Sequence, residues 1–142
     1  MCTFCSKEIE SAEHLFFYCK HVQLCKRLIA SWFLEVCGSG ISIQSVLFSF
    51  FQKDLDKNKI STIMILLSEY RHCIWTFRNK MRFEKKNCDA KQIVFYLMNR
   101  IRNRISYDLH RFSINTFQNF WNYTSICSIQ NETIVMNEYC LH

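Results

Sequence analysis

The chain has 142 residues, 49% of them apolar, which is one domain's length with ample material for a core. It has no proline and only two glycines, Gly38 and Gly40, which excludes a β-sandwich built on Gly/Pro turns and predicts a mainly α fold. No apolar run approaches the ~18 residues of a membrane span, so no membrane partner is expected, and the formal net charge of +6 points toward anionic partners.

The first stretch reads Cys2-Thr-Phe-Cys5, then His14, then Cys19, a C-x2-C-x8-H-x4-C pattern. Three thiols and one imidazole at these spacings can close a tetrahedral zinc site, and a segment this short cannot bury enough apolar surface to fold without one. The chain has nine cysteines, so chance spacing is the rival explanation. With all four positions filled by protein, such a zinc is structural. Met1 stands directly before the first ligand, and the expectation is a fragment of a longer reading frame or of a decayed element.

Residues 14–36 follow a helical period through Val22, Cys25, Ile29, Trp32, Phe33 and Val36. Cys19 is expected in the first turns of that helix. Cys25 is the rival ligand, but it falls on the apolar stripe and reads as core. Gly38 ends the helix. Residues 42–51 read as a short apolar helix pressed into the core. A long helix over 59–85 follows, capped by Asp56 or Asn58, with Ile60, Ile63, Met64, Leu67, Ile74, Phe77 and Met81 along one side. A second, over 90–112 with Asp89 as N-cap, carries Ile93, Val94, Leu97, Ile101, Ile105, Leu109 and Phe112. The link at 86–89 predicts an antiparallel helix hairpin. A short helix over 116–121 closes the bundle, and residues 123–142 are expected to form a loose tail without a partner strand. The organisation is a zinc knuckle with the first helix (1–37), a helical region with the hairpin (38–122), and the tail (123–142).

Charge is concentrated on the hairpin. Residues 70–111 hold eleven Lys/Arg against three Asp/Glu, a net of +8 against −2 elsewhere. Arg78, Arg82 and Lys85 share one helix face; Arg100, Arg104 and Arg111 share another. Cations in this arrangement suit backbone phosphates, which give affinity without sequence choice. The candidate contacts are Arg71, Arg78, Lys80, Arg82, Lys85, Lys86, Arg100 and Arg104, the rival being a solvated outer face. Arg78 and Asn79 fit either a phosphate contact or a helix-packing hydrogen bond. Phe4, between the paired cysteines, is expected to be exposed and to stack on unpaired bases. Phe16, Phe17, Trp75 and Trp121 are assigned to packing.

Two stretches resemble a known family. Cys2-x-x-Cys5 through His14-Leu15-Phe16-Phe17-Tyr18-Cys19, with Glu8 and Glu13 at acidic positions, looks like the zinc-binding region that follows the polymerase in reverse transcriptases of non-LTR (LINE-type) retrotransposons. Trp75-Thr-Phe-Arg78-Asn79 is similar to a Trp-x-x-Arg-Asn segment downstream of that region. Two departures stand out: Ser6 replaces the usual Gly or Asn, so the turn needs a less favourable backbone conformation, and Cys25 stands near an expected Trp. The resemblance implies zinc on Cys2, Cys5, His14 and Cys19, RNA or DNA as partner, and the remainder of a reverse transcriptase polyprotein if the chain is part of one. Polymerase and endonuclease activities would lie elsewhere. No phosphate-binding glycine loop, Gly-x-Ser-x-Gly or His-Glu-x-x-His occurs, so no enzyme activity is expected. The alternatives are a helical scaffold or protein-interaction module without nucleic acid, and a non-functional fragment. Without a signal peptide, the nine cysteines suit reduced thiols and an intracellular, cytoplasmic or nuclear, setting.

Overall fold

The computed structural model describes residues 1–51, 54–131 and 133–137. The chain opens with a tight knuckle in which the Cys2 N–H donates to Glu8 O (2.6 Å) and the Ser6 N–H to Cys2 O (2.8 Å). Ser6 takes the left-handed conformation at φ 55°, an unfavourable turn for a residue with a Cβ.

The expected continuous helix over 14–36 is instead three pieces. A π-turn covers His14–Tyr18, a 3₁₀ turn covers Lys20–Val22, and α1 covers Gln23–Cys37. Cys19 therefore lies in an extended joint (ψ 134°), not in the first turns of a helix. The chain leaves the helical path because side chains satisfy the carbonyls it frees. Gln23 Nε2 donates to Phe17 O and Cys19 O (3.0 Å each), Lys26 Nζ to Phe17 O (3.0 Å), and Tyr70 Oη to Phe16 O (2.7 Å).

α1 ends on Gly38 at φ 77°, whose N–H returns to Leu34 O. α2 (Ile43–Phe48) is capped by Ser42 and buries Val46. Its expected packing into the core is corrected for Phe48 and Phe50, which stay exposed: the helix stops at Ser49, in the left-handed region, and the two rings pack on each other at 5.8 Å. α3 (Lys57–Phe83) starts at Asp56, whose carboxylate accepts from the Lys59 N–H at 2.9 Å. α4 (Ala90–Arg111) starts on a reciprocal capping box between Asp89 and Gln92. α3 and α4 form the expected hairpin, α1 packs on both, and α5 (Ile114–Trp121) closes one end.

The core forms where the stripes meet. Leu28, Ile29, Trp32, Ile63, Leu67, Ile74, Ile93, Leu97 and Ile101 are fully buried, each contributing about 2 kcal/mol of apolar transfer energy. Two residues assigned to packing are corrected: Met64 is 43% exposed and Trp75 49%. Each follows a stripe residue, Ile63 or Ile74, by one position, and one position turns a helix by about 100°. Trp121 is buried as expected; its Nε1 donates to Asp108 Oδ2 (2.9 Å), and Arg104 and Arg111 hold the same carboxylate.

The expected loose tail is also corrected. β1 (Cys127–Gln130) and β2 (Thr133–Met136) pair antiparallel, with Cys127 opposite Met136, and β2 lies against α4. Ile126, Cys127 and Ile134 are buried. Trp32 Nε1 donates to Ser125 O (3.0 Å) and the Ser125 N–H to Glu35 Oε2 (2.9 Å), which ties the segment to α1. The end of the tail, 138–142, lies outside the described residues. Among the described residues, no helix is long and apolar enough to cross a membrane.

Candidate metal centre and cationic helix face

Folding of the knuckle over the π-turn gathers Cys2, Cys5, His14 and Cys19, whose ligand atoms all lie within 4.8 Å of one another. Cys2 Sγ is 3.9 Å from Cys19 Sγ, and Cys5 Sγ is 3.4 Å from His14 Nε2. Cys2 and Cys19 are buried, whereas Cys5 and His14 are partly open. All four sequence candidates converge, and the cluster could hold a metal ion. Cys25 is fully buried beside Cys73, off the cluster, as its stripe position indicated.

The thiols differ electrostatically. Burial works against ionisation of Cys5, but the backbone N–H groups of Lys7 and Glu8 and the His14 imidazole outweigh it and bring the thiol down to about 6. Burial, together with the neighbouring Cys2 and Cys5, pushes the Cys19 thiol up to about 12. Three thiolates cannot share this space without a cation to offset their repulsion, which is the electrostatic situation a divalent metal resolves.

Phe4 is corrected. It is 5% exposed and stacks on His21 at 5.8 Å with the planes 7° apart. The knuckle lays the ring against the 3₁₀ turn, so it presents no free face to a base. Phe16 and Phe17 pack against the core as expected, and Lys26 Nζ sits 4.0 Å from the Phe17 ring centroid.

The eight candidate cations divide into two groups. Arg78 bridges Glu10 of the knuckle (2.7 and 3.0 Å) and also donates to Asn79 Oδ1 at 3.1 Å, so its contacts in this structure are the internal ones. Arg71 donates to Val46 O (2.9 Å) and Ser49 Oγ (3.0 Å). Arg100 pairs with Glu69 and Arg104 with Asp108. Lys86 makes an exposed pair with Glu84. Lys80 lies over the Phe77 and Tyr96 rings at 5.1 and 5.7 Å. Arg82 and Lys85 are exposed and have no carboxylate partner among the described residues. Of the eight candidates, those left open thus lie at the end of α3 and in the link after it.

Sequence reasoning missed Glu10. Its half-buried carboxylate accepts from the Thr3 N–H (2.7 Å) and from Arg78. Burial would raise its pKa, but these hydrogen bonds and the Arg78 charge hold it at about 2. No local signal marks the pair, because its members stand 68 residues apart.

Comparison with known protein families, with characterised proteins and with solved structures finds no match for this chain.

Proposed function

We propose that the chain is a zinc-stabilised, non-catalytic helical module that holds RNA or DNA by its backbone, as the accessory region behind the polymerase of a non-LTR retrotransposon reverse transcriptase would. The observation that carries the proposal is the ligand cluster. A tetrahedral zinc with Zn–S near 2.3 Å and Zn–N near 2.05 Å sets S···S edges of about 3.8 Å and S···N edges of about 3.6 Å. Two of the six edges, at 3.9 and 3.4 Å, match those lengths, and all six lie within 4.8 Å. Zinc here fixes the knuckle, and the Glu10–Arg78 pair carries that rigidity to α3. Phosphates then meet Lys80, Arg82, Lys85 and Lys86.

Two measurements test this reading. Elemental analysis should find one zinc per chain, lost in Cys19→Ser and kept in Cys25→Ser. A random single-stranded oligonucleotide should bind with log K falling against log salt at a slope of about −3, from roughly four phosphates at −0.7 each. Absence of zinc under reducing, metal-replete conditions would sink the assignment. A second reading is a protein-interaction scaffold, favoured by the engagement of Arg71, Arg78, Arg100 and Arg104 with protein groups. It predicts zinc without oligonucleotide binding.

A further inference from the structure

Trp75 and Phe83 are large aromatics left open on α3, at 49% and 70% exposure. They belong to one helical stripe, His72, Trp75, Thr76, Asn79, Lys80 and Phe83, at steps of three and four residues. These side chains, with Glu84, whose carboxylate pairs with Lys86, line a shallow groove of 350 Å³. The two rings lie eight residues apart, about 12 Å along the axis. Arg78 stands between them, its guanidinium 5.1 Å from the Trp75 ring and 6.0 Å from the Phe83 ring. That guanidinium is held by Glu10 and by Asn79 Oδ1.

An exposed tryptophan and phenylalanine on a helix cost solvation unless something covers them, and the surrounding charge says what does. Residues 80–86 carry four cations, Lys80, Arg82, Lys85 and Lys86, against the single carboxylate of Glu84. Apolar planes beside a cationic rim match a ligand with flat rings on an anionic backbone. The geometry points to this groove as a stacking platform for unpaired nucleobases, with Trp75 the principal plane and Phe83 the second. The assignment rests on the nucleic-acid reading above and names the form of nucleic acid, single strands, and the residues that select it. A duplex, whose bases are already stacked on one another, gains nothing from Trp75. The knuckle enters indirectly. Glu10 positions Arg78, and Arg78 positions the rings, so the metal orders the platform without touching the ligand.

The test uses the zinc-loaded full chain and three labelled probes: a twelve-residue oligothymidine, the same backbone with abasic sites throughout, and a twelve-base-pair duplex. Binding is read by anisotropy and by quenching of tryptophan emission. Trp32 and Trp121 are buried, so quenching reports Trp75. Oligothymidine should bind roughly tenfold more tightly than the abasic strand, the scale of one stacked base. Trp75→Ala should erase that difference while leaving abasic binding and the helical circular dichroism at the assay temperature unchanged, and Trp75→Phe should keep most of it. Equal affinity for the base-bearing and abasic strands would overturn the platform and leave the phosphate-binding reading intact. Lack of binding to any probe would overturn both. A dimer in sedimentation that Trp75→Ala returns to monomer would also overturn it, the groove then being covered by a second copy of the chain.

Discussion

Replacing Glu10 by alanine should destabilise the metal-loaded protein by up to about 3 kcal/mol at pH 7. The carboxyl sits at about 2 against an ordinary 4.5. At about 1.4 kcal/mol per pH unit, that gap sets the differential stabilisation of the charged form. The sign follows from the direction. A depressed carboxyl contributes fully above 4.5 and loses its contribution as pH falls through about 2, so neutral pH shows the whole effect. The Thr3 N–H at 2.7 Å supplies part of it, so Arg78→Met alone should cost less, about 1–2 kcal/mol. Side-chain exposures of 17% for Glu10 and 13% for Arg78 are low enough that water screens the pair little. The exposed pair of Lys86 and Glu84, at 68% and 50%, is the control, and Lys86→Ala should leave stability unchanged. Urea unfolding at pH 7 of the parent, both single variants and the double variant gives the coupling directly. A loss under about 0.5 kcal/mol for Glu10→Ala, or strict additivity in the cycle, would refute the claim that this pair joins the knuckle to α3.

Ser6→Gly should raise stability by about 1 kcal/mol, since it removes a side chain from a left-handed position at φ 55°; a thermal melt checks it. Asp108→Ala should cost about 2–3 kcal/mol, because it strands the buried Trp121 Nε1 and releases Arg104 and Arg111 together, and denaturant unfolding reads the loss. Deleting residues 124–142 should expose Trp32, which bonds Ser125 O, and Met98, which lies beside β2, with a red shift in tryptophan emission and a lower unfolding midpoint. Ile134→Ala in the full chain should cost about 2–3 kcal/mol by calorimetry, since the side chain is 5% exposed.

What could be read from the sequence was what local chemistry dictates. The stripes of α1 and α4 follow the helical period, and Asp56, Asp89 and Gly38 act as caps through bonds within four residues. The Cys/His cluster was legible because a candidate metal site calls for particular residue types at short spacings. What escaped depends on partners far along the chain. Phe4 is buried because His21 stacks on it, and Arg78 is engaged because Glu10 reaches it. Trp75 has the composition of a core residue, and only its step past Ile74 turns it outward. The hairpin hides because its strands are four residues each and no Asn-Gly or Asp-Gly joins them, although Asn131, at φ 51°, is a residue type suited to a left-handed turn.

The bond from Trp32 to Ser125 spans 93 residues, and it sets a schedule for the nascent chain. At synthesis rates of 5–20 residues per second, the acceptor follows its donor by roughly 5–20 s. The four Cys/His side chains need no residue after Cys19 to complete them, so they are all made long before Ser125. In the interval the nascent chain carries a tryptophan whose indole N–H has not yet met its carbonyl partner. Vectorial synthesis thus delivers the Cys/His cluster well before the β1–β2 pair, and that pair arrives as the latch on α1.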